Sequence, residues 1–409
     1  MTTTEVGSDG MRRDQGRSRT RWGAVMAAML GTFVLVTAEQ LPIGLLTALA
    51  SDLRVTEGVA GLSVTVPSVV AAVAAIGVPL VVGKLDRRAL LIALMVLMTA
   101  ANAVTAIAPN IGVLMASRVL VGIAIGGFWA VAGSLAVRLA APESVPRAIA
   151  VIFGGVAAAN VLGVPLATVL GELIGWRLSF AALGALALIA MVALIALLPR
   201  LAAGQAVGLR VLGSQLAHRG VVAGLAITLL AVLGHFAAFT FVSPILQEVS
   251  GMPERLVGPA LLAFGVAGMI GNFVAGAFLA RHLRGVVIGV LSGMTVMLVA
   301  MPTLGLTPLR GVAVLVLWGL VFGGLSVAMQ TWMISAAPDS PEPATALWVC
   351  IWNAAIGVGA LLGGRTVDTT ATAAASWAGA GVLLLAALIA TFARPSVKSP
   401  SASPLDMCK

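Results

Sequence analysis

Apolar residues in this chain come in long blocks separated by short polar or turn-forming stretches. A helix needs about 20 apolar residues to cross the hydrocarbon core of a bilayer. Twelve blocks reach that length: 22–46, 59–82, 89–107, 111–137, 148–170, 178–198, 221–246, 256–280, 285–306, 311–336, 344–364 and 373–392. The separators carry breakers, among them Pro109-Asn110, Ala141-Pro142-Glu143 and Pro338-Asp339-Ser340-Pro341. Most are short, and the longest runs over 199–220. Arg residues precede the first block, and Val36-Thr37-Ala38 weakly mimics a signal-peptide cleavage site. The block is too long for a signal core and eleven more follow, so it reads as a retained span.

Composition sharpens this picture. The chain has 409 residues, 60% of them hydrophobic and only 10% charged, with a mean hydropathy of +1.09. So few charges cannot cover a water-exposed surface, which excludes a soluble globular protein. Such hydrophobicity excludes disorder, and the block pattern excludes collagen and coiled coil. The two cysteines, Cys350 in a block and Cys408 in the tail, do not make a disulfide framework.

The net charge of +9 is unevenly placed. With the N-terminus inside, 18 of the 24 Lys and Arg fall in the cytoplasmic pieces and five in the outer ones. That bias predicts both termini in the cytoplasm and accounts for the basic character without a nucleic-acid partner. The piece between spans ten and eleven departs from it, carrying only Asp339 and Glu342.

A shift of 193 residues superposes Gly83 on Gly276, Arg88 on Arg281, Leu90 on Leu283, Gly126 on Gly319, Asn160 on Asn353 and Gly171 on Gly364. The predicted fold class is therefore an all-α membrane protein of twelve transmembrane helices in two pseudo-symmetric six-helix bundles. The expected division is a basic tail (1–21), a first bundle (22–198), a linker (199–220), a second bundle (221–393) and a tail (394–409). Like halves of this kind point to a transporter with its site between them near the midplane.

Charges within the hydrocarbon are costly and mark function by default. Two lie in the spans, Glu39 and Arg118, and His235 is the one histidine there. At 1.5 Å per residue all three fall about 8–10 Å from the outer side, a level that one cavity can share. Glu39 reads either as a proton carrier or as a static paired group. Arg118 reads either as a coupling residue or as a brace that bonds backbone carbonyls and Glu39. His235 is either a substrate contact or a hydrogen-bonded core residue. Asn160 and Asn353, equivalent under the repeat, either face the cavity or bond neighbouring helices. Asn102 and Asn272 read as interhelical bonds. Trp129, Phe236, Phe239 and Trp352 are candidates for an apolar wall, with packing as the plainer role. Gly122/Gly126, Gly319/Gly323 and Gly359/Gly363 form small-residue faces for close helix approach. Gly163-Val164-Pro165 predicts a kink within span five.

Enzyme signatures are missing from the sequence. The run from Gly77 to Lys84 has one residue too many for a phosphate loop, and Leu85 stands where Ser or Thr belongs. No HExxH, Cys/His cluster or Gly-x-Ser-x-Gly elbow occurs.

These segments resemble the major facilitator superfamily, over about 22–392, and within it the bacterial twelve-helix drug:proton antiporter branch with its chloramphenicol-resistance, sugar-efflux and purine-efflux members. Thr37-Ala-Glu39-Gln-Leu-Pro-Ile-Gly44-Leu-Leu is similar to that branch's acidic first-span segment. Gly83-Lys-Leu-Asp86-Arg87-Arg88 resembles motif A, a cytoplasmic gating loop, with Asp one residue early and the second Gly missing. The equivalent segment of the second half, from Gly276 to Arg281, has no Asp. Arg118-Val-Leu-Val-Gly122 resembles motif B, whose arginine the family ties to proton coupling, and 163–177 resembles antiporter motif C. His235 to Pro244 and Gly268 to Asn272 are similar to branch segments of spans seven and eight. Gln40 replaces the usual Phe, which implies a more polar cavity wall. The resemblance implies a monomer in the plasma membrane that exports a small amphipathic molecule, an antibiotic or drug-like compound, in exchange for protons. The proton gradient supplies the energy, and no cofactor or metal is expected. A dedicated sugar or purine nucleoside exporter is the alternative, and a non-transporting membrane sensor is the alternative of another class.

Overall fold

In the computed structural model, residues 20–82, 86–141, 144–201, 209–338 and 341–394 are described. The helices are α1 (Trp22–Gly44), α2 (Leu46–Leu53), α3 (Glu57–Val82), α4 (Arg87–Ala106), α5 (Ile111–Leu139), α6 (Val145–Leu197), α7 (Leu209–Gln215), α8 (Arg219–Phe239), α9 (Val242–Pro244), α10 (Glu254–Leu304), α11 (Pro308–Ala336), α12 (Pro341–Thr369) and α13 (Thr372–Phe392). A π-helical turn, Ile245–Val249, follows α9.

Among the described residues, eleven segments are long and apolar enough to cross a membrane. One of them, in α6, is two crossings in one. The helix α6 has 53 residues, about 80 Å at 1.5 Å per residue, far more than the ~30 Å hydrocarbon core. It breaks at Gly175 (φ 79, ψ 157), a conformation an L side chain rarely adopts. In the same way α10 breaks at His282 (φ −138, ψ 40). The twelve blocks are therefore α1, α3, α4, α5, the two parts of α6, α8, the two parts of α10, α11, α12 and α13.

Two blocks depart from the expected pattern. The first block stops at Gly44 and resumes as α2, because Pro42 lies at the end of α1 and Leu45 closes back on the Pro42 carbonyl. The seventh block is interrupted at Thr240–Phe241 and ends in the π-helical turn. In α6 helical backbone runs through Gly163-Val164-Pro165, and the break between the two crossings falls at Gly175, in the gap between the fifth and sixth blocks. Pro165 is buried against neighbours that brace the helix, the setting in which membrane helices tolerate proline. The linker also contains the unforeseen helix α7.

The repeat is visible in how helices pair. Within the first half α1 packs on α6, α3 on α5 and α4 on α6; within the second, α8 packs on α12, the start of α10 on α11, and the end of α10 on α13. Each pair in one list is the 193-residue shift of a pair in the other. Two seams join the halves, α3 with α12 and α6 with α10, and these too exchange under the shift. Lipid offers no hydrophobic drive for helices to associate, so close approach and polar bonds do that work. Gly323 meets the Gly268 backbone and Gly319 meets the Phe264 carbonyl where α11 crosses α10. At the same crossing Asn272 Nδ2 donates to the Gly323 carbonyl at 3.2 Å.

Chain entry defines a basic end of the bundle. There Arg21 N–H donates to the Leu139 carbonyl, Trp332 Nε1 to the Gly220 carbonyl, and Arg284 to the Thr391 carbonyl. At the far end Arg177 pairs with Asp52 and donates to the Ala108 carbonyl.

Candidate functional site

Glu39 lies 17 residues along α1, about 26 Å from its start. Its carboxylate is half-buried, and Ser68 of α3 is 3.5 Å from Oε1. Ser68 has one hydrogen, and the shorter bond, 2.8 Å to the Val64 carbonyl, takes it. Glu39 has no ion pair among the described residues. The half-buried carboxylate thus has one weak contact among the described residues. Next to it, Gln40 Nε2 donates to Asn160 Oδ1 at 2.6 Å, tying α1 to α6.

Arg118 of α5 is fully buried. Its guanidinium does not pair with Glu39; it donates from Nη1 to the Ala38 carbonyl at 3.4 Å and from Nη2 to Thr105 Oγ1 at 2.7 Å. The Phe180 ring centroid is 4.8 Å from Cζ. Thr105 is held in turn by the Ala101 carbonyl and Ser117. One cation therefore joins α1, α4, α5 and α6, and its contact with α1 falls one residue before Glu39. A shift of α1 that moves the carboxylate also disturbs this bond.

His235 of α8 is fully buried too, and neither ring nitrogen has a partner among the described residues. A hydrogen-bonded core histidine is not what the structure shows. Its ring stacks on Phe322 (centroids 3.7 Å, planes 4° apart) and on Phe239 (4.9 Å, 20°), with Phe236 and Trp318 edge-on. Phe264 stacks on Phe239 at 4.8 Å and lies edge-on to Trp318. Four of the chain's 12 Phe meet here, so the second half concentrates its aromatic surface at one place. Of these rings Phe322 is the half-buried one.

The remaining candidates are dispersed. Trp129, the repeat equivalent of Phe322, is half-buried with its ring 6.0 Å from Phe153. Asn353 is buried and donates to Val349 of its own helix, unlike its equivalent Asn160. Asn102 likewise bonds Met98 of its own helix. Trp352 packs on Trp348 at 5.2 Å. Gly163 faces Thr37 without crowding.

In the motif A segment, Gly83 lies outside the described residues. Asp86 caps α4, accepting from Arg88 N–H at 2.8 Å and from Leu201 N–H at 3.0 Å. Leu201 N–H, then Arg88 N–H and the nearby Arg200 and Arg88 charges, hold the Asp86 carboxyl below the usual carboxylate range. Arg87 N–H donates to the Leu201 carbonyl and Arg88 Nη2 to the Ile195 carbonyl. These contacts lie within the first half and fasten the start of the linker.

Sequence reasoning missed Phe180, Phe264, Trp318 and Phe322. A signal for two of them existed: Trp318 and Phe322 are four apart in α11, and helical residues so spaced share a face.

The family model for the Major Facilitator Superfamily matches residues 28–343. The chain belongs to this superfamily. It is 35% identical over 393 residues to the transcription regulatory protein OpdE of Pseudomonas aeruginosa, covering 95% of this chain and 97% of that one. It is 32% identical over 374 residues to the purine ribonucleoside efflux pump NepI of Escherichia coli, covering 91% and 94%. Among solved structures it resembles a bacterial homologue of the human lysosomal transporter Spinster in an inward-facing, occupied conformation. That match has a TM-score of 0.73 and 15% identity, and covers 91% of this chain and 96% of the other. As a major facilitator chain it is a multi-pass membrane transporter, and relatives named as efflux pumps support export as its direction.

Proposed function

We propose that this protein exports a small, flat amphipathic molecule in exchange for protons, by alternating access between its two halves. Glu39 is the proton carrier, and Arg118 is the brace through which the state of α1 reaches α4, α5 and α6. The observation that carries this reading is the half-buried carboxylate of Glu39, which has no ion pair among the described residues and faces a hydroxyl already bonded elsewhere. The half-buried ring of Phe322, backed by the stacked rings around His235, suits a planar heteroaromatic cargo. Purine ribonucleosides head the list because relatives at 32% identity carry that name. Antibiotics stay in the same screen as competitors. The basic end faces the cytoplasm of the cell, the plasma membrane is the site of action, and one chain suffices.

The test uses full-length protein in liposomes with an imposed pH gradient and labelled inosine, adenosine, a sugar and chloramphenicol. The wild type should move a nucleoside against its gradient only when the proton gradient drives it. Glu39→Gln should abolish that coupling while eluting as folded protein. Undiminished pH-driven transport by Glu39→Gln would falsify the carrier role. A second reading, a membrane sensor that moves no solute, is favoured by the regulatory name of the relative at 35% identity. Transport of no compound by folded wild-type protein would support it.

A further inference from the structure

We infer that Asp368 is a positioning residue that latches the two halves together at the far end of the α3–α12 seam. The first N–H groups of a helix have no partner within it and need an outside acceptor. At the start of α3 the Thr56 hydroxyl oxygen accepts from Val59 N–H at 3.2 Å. The rest of the cap comes from the other half of the molecule, 310 residues away. Asp368, at the end of α12, accepts the Thr56 hydroxyl on Oδ2 at 2.7 Å and Gly58 N–H on Oδ1 at 3.0 Å. Both carboxylate oxygens are used, and the anion faces the positive end of the α3 dipole.

Sterics confirm how tightly the halves meet at this point. A Cβ at Gly58 would overlap the Asp368 carboxylate and come within 2.5 Å of the Gly364 carbonyl. One turn further, a Cβ at Gly61 would meet the Phe241 ring at 2.7 Å. So α3 can be fully capped only while the far end is closed, and opening that end strips two hydrogen bonds from the helix start.

An opposing force acts at the same place. Glu57 lies within electrostatic reach of Glu248 and Asp368, and Glu248 is held by the Thr372 hydroxyl. Closure therefore holds Glu57 of the first half within the field of two carboxylates of the second. The cap holds the seam shut and the repulsion pushes it open, which makes the latch releasable.

The experiment uses full-length protein in which Cys350 and Cys408 are replaced by Ala and Thr65→Cys is the reporter. Thr65 is buried on the α3–α12 seam, with its carbonyl 3.0 Å from where a Cβ at Gly357 would sit. A membrane-impermeant maleimide is applied to the far-end side in spheroplasts, and inverted vesicles, which expose only the basic end, serve as the control. Losing a helix cap typically shifts an equilibrium by about five- to tenfold. Asp368→Ala should raise the labelling rate by about that factor, and Asp368→Asn, which keeps an acceptor, by less. Gly58→Ala should also raise it, through overlap. Glu57→Gln, which relieves repulsion, should slow it. A merely destabilising effect would not give opposite signs for Asp368→Ala and Glu57→Gln. Equal labelling in wild type and Asp368→Ala, both eluting as folded protein, overturns the latch. So does a faster rate in Glu57→Gln.

Discussion

Arg118→Lys keeps the charge and removes the fork. The guanidinium reaches Ala38 on α1 and Thr105 on α4 at once while covering Phe180 of α6. An ammonium is a single point of charge and cannot serve both acceptors and the ring. A hydrogen bond to a charged group contributes about 1.5–3 kcal/mol, and a cation–π contact away from water about 2 kcal/mol. Losing one bond and most of the stacking should therefore cost about 3 kcal/mol, roughly a hundredfold in an equilibrium constant. Thermal unfolding of the detergent-solubilised chain should show this as a melting point lowered by several degrees. Proton-driven transport in liposomes should fall in parallel, because the bond to α1 sits beside Glu39. The double variant with Phe180→Leu should lose less than the sum of the two single losses, with a coupling of about 1–2 kcal/mol. Wild-type melting and transport by Arg118→Lys, or strict additivity with Phe180→Leu, would refute the idea that this one cation joins four helices.

Two further outcomes follow from the packing and the caps. Gly323→Ala puts a methyl into the Gly268 backbone and should cost about 1–3 kcal/mol as α11 is forced off α10. Gly276→Ala, with nothing within 4 Å of the added carbon, should behave as wild type in the same thermal unfolding assay of the detergent-solubilised chain. For Asp86 the folded-state pKa lies below the ordinary value. Its stabilisation is therefore complete above the usual carboxylate range and is lost as pH falls through the folded pKa. Hydrogen exchange at the Arg88 and Leu201 amides, corrected for intrinsic rates, should speed up on acidification from about pH 6 to about pH 3 in wild type. In Asp86→Asn the corrected rates should not depend on pH over that range.

Block length and charge asymmetry carry the transmembrane architecture because a bilayer imposes one coarse rule, a fixed apolar thickness. The repeat offset relates each packed pair of helices in one half to a pair in the other, since duplicated halves bury duplicated faces. What could not be read was direction within a helix. Glu39 and Arg118 fall at similar depths in the sequence, yet the structure aims the arginine at a backbone carbonyl and leaves the carboxylate alone. Asn160 and Asn353 are equivalent by position and differ in partner, because Gln40 happens to stand opposite only one of them. The break in α6 at Gly175 falls in the gap between the fifth and sixth blocks, where the sequence already separated two spans. How far Pro165 bends its own span depends on the neighbours packed against it, and a single chain of letters does not show neighbours.

The two halves are copies in architecture and unequal in electrical content. The repeat places Val232 where the first half has Glu39, and Gly311 where it has Arg118. A membrane potential does work only on charge that moves through it, about 2.3 kcal/mol per elementary charge per 100 mV. Under the proposed cycle, voltage acts on the first half through these two groups, about 8–10 Å below the outer side. With Glu39 ionised, the opposite signs cancel and the field exerts almost no net pull. Once a proton sits on Glu39, the lone positive Arg118 remains, and under the proposed cycle the proton-loaded form is the one that the cell's resting voltage drives.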